Sequence, residues 1–350
     1  MNITRRKIIS SLALASLSQQ LLAQSLIPIS DVHNHFGLLR NNRGATSQLK
    51  SLMEKSGVYL ISWAVVPDIP FLSFGSSGVR QSKIPNKGEL QQSYERQIMR
   101  AVGIAEANGL KVIKTPGDLI QAGKGVPSIV LTSEGADFLE GAIDGLLPAV
   151  NAGLRHIQLV HYIKNNIGDI QTEAVEHNGL SPFGKSLITA MNSAGVLIDV
   201  AHGTQEMVEQ SLATSKSPLI WSHSYLAQSH GTASQSGYQS RAIGIDLAKK
   251  IAGAGGAIGL WALGPSLPGG GIRGYVEEII RMIDVLGPEH VMFGTDIDGL
   301  PSGAVISDFE DLRAVVVGLQ KRGLDEKTIR AVSYANYERC LNVAMLNTKV

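Results

Sequence analysis

Cysteine is almost absent from this chain: Cys340 is the only one among 350 residues. A single thiol excludes an intrachain disulfide and a zinc site built on cysteine, so any bound metal must be held by histidine and carboxylate groups. Cys340 itself lies in an apolar C-terminal segment, where a lone cysteine usually serves packing rather than chemistry.

An excess of charge of one sign is also lacking. The formal net charge is +1, and lysine and arginine are scattered along the chain, so no footprint for nucleic acid is visible. Hydrophobic residues make up 44% of the chain and charged residues 17%, which predicts a globular protein and excludes a mostly disordered one. We therefore do not expect a polyanionic partner such as nucleic acid.

Long hydrophobic runs are missing as well. At the N-terminus Arg5 and Arg6 precede a short apolar stretch from Ile8 to Leu17, and the small residue Ala23 follows. This layout predicts an export signal over residues 1–25, similar to a twin-arginine signal, and hence a periplasmic protein. The alternative is an uncleaved anchor, but serine and glutamine interrupt a stretch too short to span a bilayer, so we expect no stable membrane insertion after signal removal.

Eight short runs rich in valine, isoleucine and leucine alternate with helix-like stretches. The expected strands are 26–34, 58–66, 128–134, 155–161, 195–201, 218–223, 256–262 and 290–296, and the expected helices are 87–109, 182–195, 204–215, 244–255 and 274–287. Alternating strands and helices predict a parallel sheet, and eight strands close a (β/α)₈ TIM barrel, here one domain over residues 26–350. A doubly wound open sheet is the alternative.

Side chains that can bind metal or move a proton end six of these runs, which favours the barrel. An open sheet gathers its site at one crevice, whereas a barrel gathers residues from many strand ends around a ring. The residues concerned are His33, His35, Glu134, His161, His202, His223 and Asp296.

Two histidine pairs are expected to hold metal. His33 and His35 are two residues apart on a strand, so both rings face the same side and could chelate one divalent ion; the alternative is a hydrogen-bonded core pair. His202 and His223 end consecutive strands, so they should be neighbours on the barrel rim and could hold a second ion. Asp31, just before the first pair, is expected to orient the backbone or a loop.

Three further side chains complete the expected site. An ionised Glu134 at the end of an apolar strand needs a cation, either two bridged metal ions or an arginine such as Arg155. Asp296 is expected to accept a proton from an activated water, and His161 to stabilise an oxyanion or complete the metal shell. Asp298 is expected to lie outside the metal shell or to cap a helix. Of the remaining histidines, only His230 could reach the expected site from its loop.

Two long connections, 224–244 and 264–274, are rich in serine and glycine and follow strands at the expected active-site end. They are candidate substrate loops.

Several motifs together resemble one family. The segment GLSPFGKSLITAMNSAGVLIDVAH (179–202), with TSEG (132–135), LVHY (159–162), WSHS (221–224) and FGTDIDG (293–299), is similar in order and spacing to the membrane (renal-type) dipeptidases, peptidase family M19. The similarity runs from about Asp31 to Asn336.

The resemblance implies a zinc-dependent dipeptidase, often a homodimer, with two zinc ions. Glu134 would bridge the ions, with His202 and His223 on one ion and the first-strand pair on the other. Asp296 would be the acid and base, His161 would contact the tetrahedral intermediate, and Arg241 would bind the free carboxylate of the substrate.

The first strand departs from the family pattern. The family usually has His-x-Asp, whereas this chain has His33-Asn34-His35, which makes the site less negative by one charge and affects metal identity and occupancy. Another metal-dependent amidohydrolase or lactonase is therefore the nearest alternative. A non-catalytic binding protein is the alternative from another class.

Overall fold

Eight parallel strands form the centre of the molecule in the computed structural model, which describes residues 26–39, 46–75, 78–227, 241–300 and 302–347. The strands are β1 (Ile29–Asn34), β2 (Val58–Val65), β3 (Leu72–Gly75), β4 (Gly78–Gln81), β5 (Lys111–Val112), β6 (Ser128–Glu134), β7 (Leu154–Gln158), β8 (Leu197–Asp199), β9 (Leu219–Ser224), β10 (Ala257–Leu260) and β11 (Val291–Phe293). The parallel order is β1-β2-β6-β7-β8-β9-β10-β11, β5 pairs with β6, and β3 and β4 form a separate antiparallel hairpin.

The two end strands of this order come together. The Asp296 amide donates to the carbonyl oxygen of His33, and the His35 amide donates to the carbonyl oxygen of Ile297; both distances are 2.9 Å. The buried Asp31 carboxylate accepts from the amide of Thr295 at 3.0 Å and from its hydroxyl, which ties the start of β1 to the end of β11. These bonds nearly close the sheet, and the expected TIM-barrel fold is confirmed.

Helices follow the strands around the outside. They are α1 (Leu49–Ser56), α2 (Glu89–Asn108), α3 (Pro116–Gly123), α4 (Leu146–Ala152), α5 (Pro182–Ala194), α6 (Gln205–Thr214), α7 (Ile245–Gly253), α8 (Gly271–Leu286), α9 (Phe309–Lys321), α10 (Glu326–Arg330) and α11 (Asn336–Leu346), with a π-helical turn between the last two. Helix α5 shows the local reasons clearly: Ser181 accepts a bond from the amide of Gly184, Pro182 starts the helix, and Gly195 ends it in the left-handed conformation.

Most strands are shorter than the sequence predicts. Consequently His161, His202 and Asp296 each lie three residues beyond their strand, in the connection that leaves the barrel. His202 and Asp296 adopt left-handed backbone angles, with φ of 70° and 60°. Non-glycine residues in this region carry strain and occur preferentially at functional sites.

Some of the expected features lie outside the residues that the structure describes. The export signal over 1–25 lies outside them, as does the central part of the 224–244 connection, including His230. The 264–274 loop is shorter than expected because α8 already begins at Gly271. Among the described residues, no helix is both long and apolar enough to cross a membrane.

Candidate active site

The expected metal and proton-transfer residues meet at the carboxyl end of the barrel, around the buried Glu134. Burial raises the pKa of Glu134, but the nearby histidines His161 and His33 outweigh it and hold the pKa well below its usual value. The carboxylate is therefore ionised. Its oxygens lie 3.4 Å from Nε2 of His33, 3.3 Å from His35, 3.3 Å from His161, 3.3 Å from His202 and 3.7 Å from His223.

The first histidine pair presents its Nε2 atoms to this carboxylate. These atoms of His33 and His35 are 3.1 Å apart, although His35 lies one residue past β1. Nδ1 of His35 donates to the carbonyl oxygen of Ala64 at 2.8 Å, which leaves the Nε2 lone pair of the neutral ring for a cation. Burial lowers the pKa of His35, but hydrogen bonds with Asp296 and Glu134 outweigh it and raise the pKa to about 10. Both carboxylates that attract a proton here would equally attract a divalent ion.

The second pair comes from the connection after β8 and from the end of the neighbouring strand β9, with Nε2 of His202 and Nε2 of His223 3.2 Å apart. Burial, helped by the positive charge of Arg241, lowers both pKa values well below the usual one. Neutral imidazole is the form that binds metal. Nδ1 of His223 lies 2.8 Å from the Ser222 hydroxyl, which fixes the ring.

These donors fit a bound metal. Two groups, each of three buried side chains, have ligand atoms within 4.8 Å of one another: His33 with His35 and Glu134, and Glu134 with His202 and His223. Glu134 belongs to both groups, as expected for a bridging carboxylate. Imidazole and carboxylate without thiolate suit zinc and other divalent transition ions.

Asp296 lies beside the first pair, where the sequence predicts a proton acceptor. Its Oδ1 is 3.1 Å from Nε2 of His35, and its Oδ2 accepts a bond of 2.9 Å from the indole of Trp261. A β-carbon on Gly299 would lie only 1.9 Å from Oδ1, so glycine is needed for this close packing. Oδ1 of Asp296 thus faces the candidate metal ligands, while its Oδ2 is held by the indole of Trp261.

His161 is positioned by a residue that the sequence reasoning missed. Its Nδ1 lies 2.8 and 3.0 Å from the two oxygens of buried Asp68, so its Nε2 points to Glu134. Burial lowers the pKa of His161, but Asp68 and Glu134 outweigh it and raise the pKa. Asp68 follows β2 by three residues, the offset at which His161 follows β7, and this spacing could have revealed it.

Arg241 is buried and reaches the second histidine pair, with Nη2 3.3 Å from Nε2 of His223. Its Nη1 donates to the Tyr162 hydroxyl at 3.0 Å and its Nε donates to Gln171 at 3.2 Å. The guanidinium also lies over the ring of Trp261. The sequence reasoning singled out Arg241 but none of these three partners.

A sequence model described as "Membrane dipeptidase (Peptidase family M19)" matches residues 20–349. The chain belongs to this family.

Curated relatives of this M19 chain are called dipeptidases. One from Schizosaccharomyces pombe, "Uncharacterized dipeptidase C965.12", is 26% identical over 226 residues, which are 60% of this chain and 52% of the relative. "Dipeptidase tcpJ" of Claviceps purpurea is 25% identical over 198 residues, 54% of this chain and 44% of the relative. The chain thus spans about half the length of the curated relatives it matches.

Solved structures share the fold of this M19 chain. The crystal structure of the dipeptidase AC, a metallopeptidase of family M19, superposes with a TM-score of 0.76 at 21% identity, covering 91% of this chain and 99% of that one. A metallopeptidase from Rhodobacter sphaeroides, liganded with a phosphinate mimic of the dipeptide L-Ala-D-Ala, has the same TM-score and coverage at 19% identity.

Other candidates of the M19 chain lie outside the cluster. Arg155, considered as a partner of Glu134, instead donates to backbone carbonyls, including that of Leu154, at the start of β7. Asp298 accepts from the amide of Gly37 at 2.8 Å, so it holds the connection after β1 rather than capping a helix.

Proposed function

We propose that the protein is a two-zinc dipeptidase that cleaves dipeptides with a free C-terminal carboxylate. The observation that carries this proposal is the pair of three-residue donor groups that share Glu134 next to a buried arginine. A bound divalent cation would lower the pKa of water and polarise the scissile carbonyl. Membership of family M19 supports the hydrolytic chemistry.

Three side chains would carry out the proton transfer, the stabilisation of negative charge and the orientation of the substrate. Asp296, with one oxygen fixed by Trp261, would take the proton of the attacking water and pass it to the leaving amine. His161, aimed inward by Asp68, would donate a hydrogen bond to the oxygen of the carbonyl as negative charge develops there. Arg241 would orient the substrate by paired hydrogen bonds to its carboxylate.

One departure from the family pattern supports a second candidate. His35 stands where the family usually has a carboxylate, so the site has one negative charge fewer to balance a substrate ammonium group. An amide or lactone without that ammonium group is the alternative substrate class.

The test combines metal analysis with hydrolysis by the purified protein. We expect about two zinc ions per chain, cleavage of Leu-Gly that a chelator abolishes and zinc restores, and a raised KM for Leu-Gly amide, which lacks the carboxylate. Asp296→Asn should keep its metal and lose about 10²- to 10⁴-fold in kcat. Substantial remaining turnover would contradict the role of Asp296, and bound metal with cleavage of lactones alone would favour the second candidate.

A further inference from the structure

The hairpin β3–β4 forms part of the active-site wall. Apolar side chains from the connections after β1, β2 and β11 line the same cavity as the Glu134 cluster, and six of them are Leu39, Ile69, Leu72, Phe74, Val79 and Leu300. Phe74 and Val79 are cross-strand partners in the hairpin. Phe74 is 53% exposed, a large apolar surface left open on the wall of the cavity.

This wall lies across the barrel from Arg241. Strands β2 and β9 are four positions apart in the order of the eight strands, and thus on opposite sides of the nearly closed barrel. Arg241 follows β9 and contacts His223, while the hairpin follows β2. The cavity therefore has a cationic end and an apolar end, with the shared carboxylate of Glu134 between them.

The hairpin is fixed in this position by the adjoining chain. The Ser82 amide donates to the carbonyl oxygen of Phe71 at 2.8 Å, and Gln81 accepts from the amide of Lys164 at 3.1 Å. Phe71 and Leu72 also pack with Ile163. The apolar wall is therefore held by the connection after β7, which also carries His161 and Tyr162.

We propose that the hairpin wall selects dipeptides whose N-terminal residue has an apolar side chain. The inference rests on the proposed function: with the C-terminal carboxylate at Arg241 and the scissile bond at Glu134, the N-terminal side chain extends toward Phe74 and Val79. An apolar side chain gains from leaving water there, whereas a polar one loses hydration. Among the described residues of this wall, only His35 and Asp296 at its inner end are polar.

The experiment compares Leu-Gly with Asn-Gly, whose N-terminal side chains are similar in size and differ in polarity. For the zinc-loaded wild type we expect kcat/KM to be at least about tenfold higher for Leu-Gly, since even one methylene in an apolar pocket is worth about tenfold or more. The double variant Phe74→Ser/Val79→Thr should bring the two values close together, mainly by raising the KM for Leu-Gly. Ile84→Ser, 87% exposed and outside the cavity, is the matched control and should leave the ratio unchanged.

The outcomes separate this inference from the function on which it rests. Absence of cleavage of both dipeptides by the zinc-loaded wild type would overturn the proposed function and the inference with it. Cleavage with equal kcat/KM, or a ratio unaffected by the double variant, would overturn the inference alone. If circular dichroism shows that the double variant is unfolded, the single variant Val79→Thr, which keeps the side-chain shape, replaces it. This variant must lower the ratio of kcat/KM for Leu-Gly to that for Asn-Gly, and an unchanged ratio would contradict the selection by the hairpin wall.

Discussion

At the scale of single residues, the pairing of His161 with Asp68 makes a test of orientation possible. The two oxygens of Asp68 hold Nδ1 of His161, and the next residue, Tyr162, donates its amide to the same carboxylate at 3.3 Å. Asp137 lies near Asp68, with both its carboxylate oxygens buried and without a hydrogen-bond partner among the described residues. Burial, and then the charge of Asp68, raise the pKa of Asp137 well above its usual value, which favours the neutral form of this side chain.

Asp68→Asn should therefore lower kcat by about 10- to 100-fold, because the amide no longer stabilises a protonated His161 or fixes its tautomer. KM should change little, since Asp68 does not face the cavity. Asp137→Asn is the matched control: the amide has the same shape as a carboxyl group whose neutral form is favoured, and the variant should preserve kcat. Steady-state kinetics on Leu-Gly decide between the outcomes, and equal losses in both variants would mean that Asp68 acts only in packing.

The residues of this site differ in how visible they are in the sequence. His33, His35, Glu134, His202 and His223 were predictable because metal-binding side chains end runs of apolar residues. Trp261 and Gln171 carry no such signal, because an indole and an amide gain their roles only from the tertiary contacts with Asp296 and Arg241. The structure brings the five predictable side chains together, but their predicted role as metal ligands stays a prediction, as do the predicted roles of Asp296, His161 and Arg241.

At the scale of an element, the connection between β7 and α5 depends on one carboxylate. Asp169 accepts bonds from the amides of Glu176, His177 and Gly179 at 2.7 to 2.8 Å, and the same connection supplies Gln171 to Arg241. Burial raises the pKa of Asp169, but these three bonds outweigh it and lower the pKa below 3.8. A carboxyl group with a lowered folded-state pKa gives stability that is fully present above the unfolded pKa and is lost as the pH falls through the folded one.

Asp169→Asn should lower the free energy of unfolding at pH 7 by about 1–3 kcal/mol, because the amide replaces one charged acceptor with a donor. The difference from wild type should shrink as the pH falls below the unfolded-state pKa of about 4 and then through the lowered pKa of the native Asp169. Urea unfolding at pH 7 and pH 3 measures both quantities. Asp144→Asn, an exposed site on another connection, is the control, and a difference independent of pH would contradict the assignment to ionised Asp169.

The elements themselves were unequally predictable. Short runs of apolar residues revealed the eight barrel strands, and apolar residues at helical spacing revealed five of the outer helices. The hairpin β3–β4 was missed because its strands are only four residues long and none of their residues is buried, so they lack the apolar runs that marked the barrel strands. Gly75 and Gly78 flanking two serines are the turn signal that could have shown it.

At the scale of the whole molecule, the barrel is filled from the end opposite the active site. Seven of the eight barrel strands contribute an apolar side chain to one cluster: Val32, Leu60, Val130, Leu197, Ile220, Ala257 and Met292. The helix α11 adds Tyr337, Cys340 and Leu341, so the lone cysteine serves packing as expected. Strand β7 supplies His156, whose Nδ1 lies 3.1 Å from the Tyr337 hydroxyl.

This arrangement separates stability from catalysis along the barrel axis. Leu341→Ala should lower the free energy of unfolding by about 2–5 kcal/mol, because it removes buried methyl groups and leaves a cavity under the strands. Leu346→Ala, in the same helix and 63% exposed, should change it by less than about 0.5 kcal/mol. Both variants should keep the wild-type kcat and KM at 25 °C, since Glu134 and its histidines lie at the other end of the barrel. Urea unfolding and dipeptide kinetics on the same preparations test this, and a raised KM in Leu341→Ala would mean that packing at α11 reaches the active site.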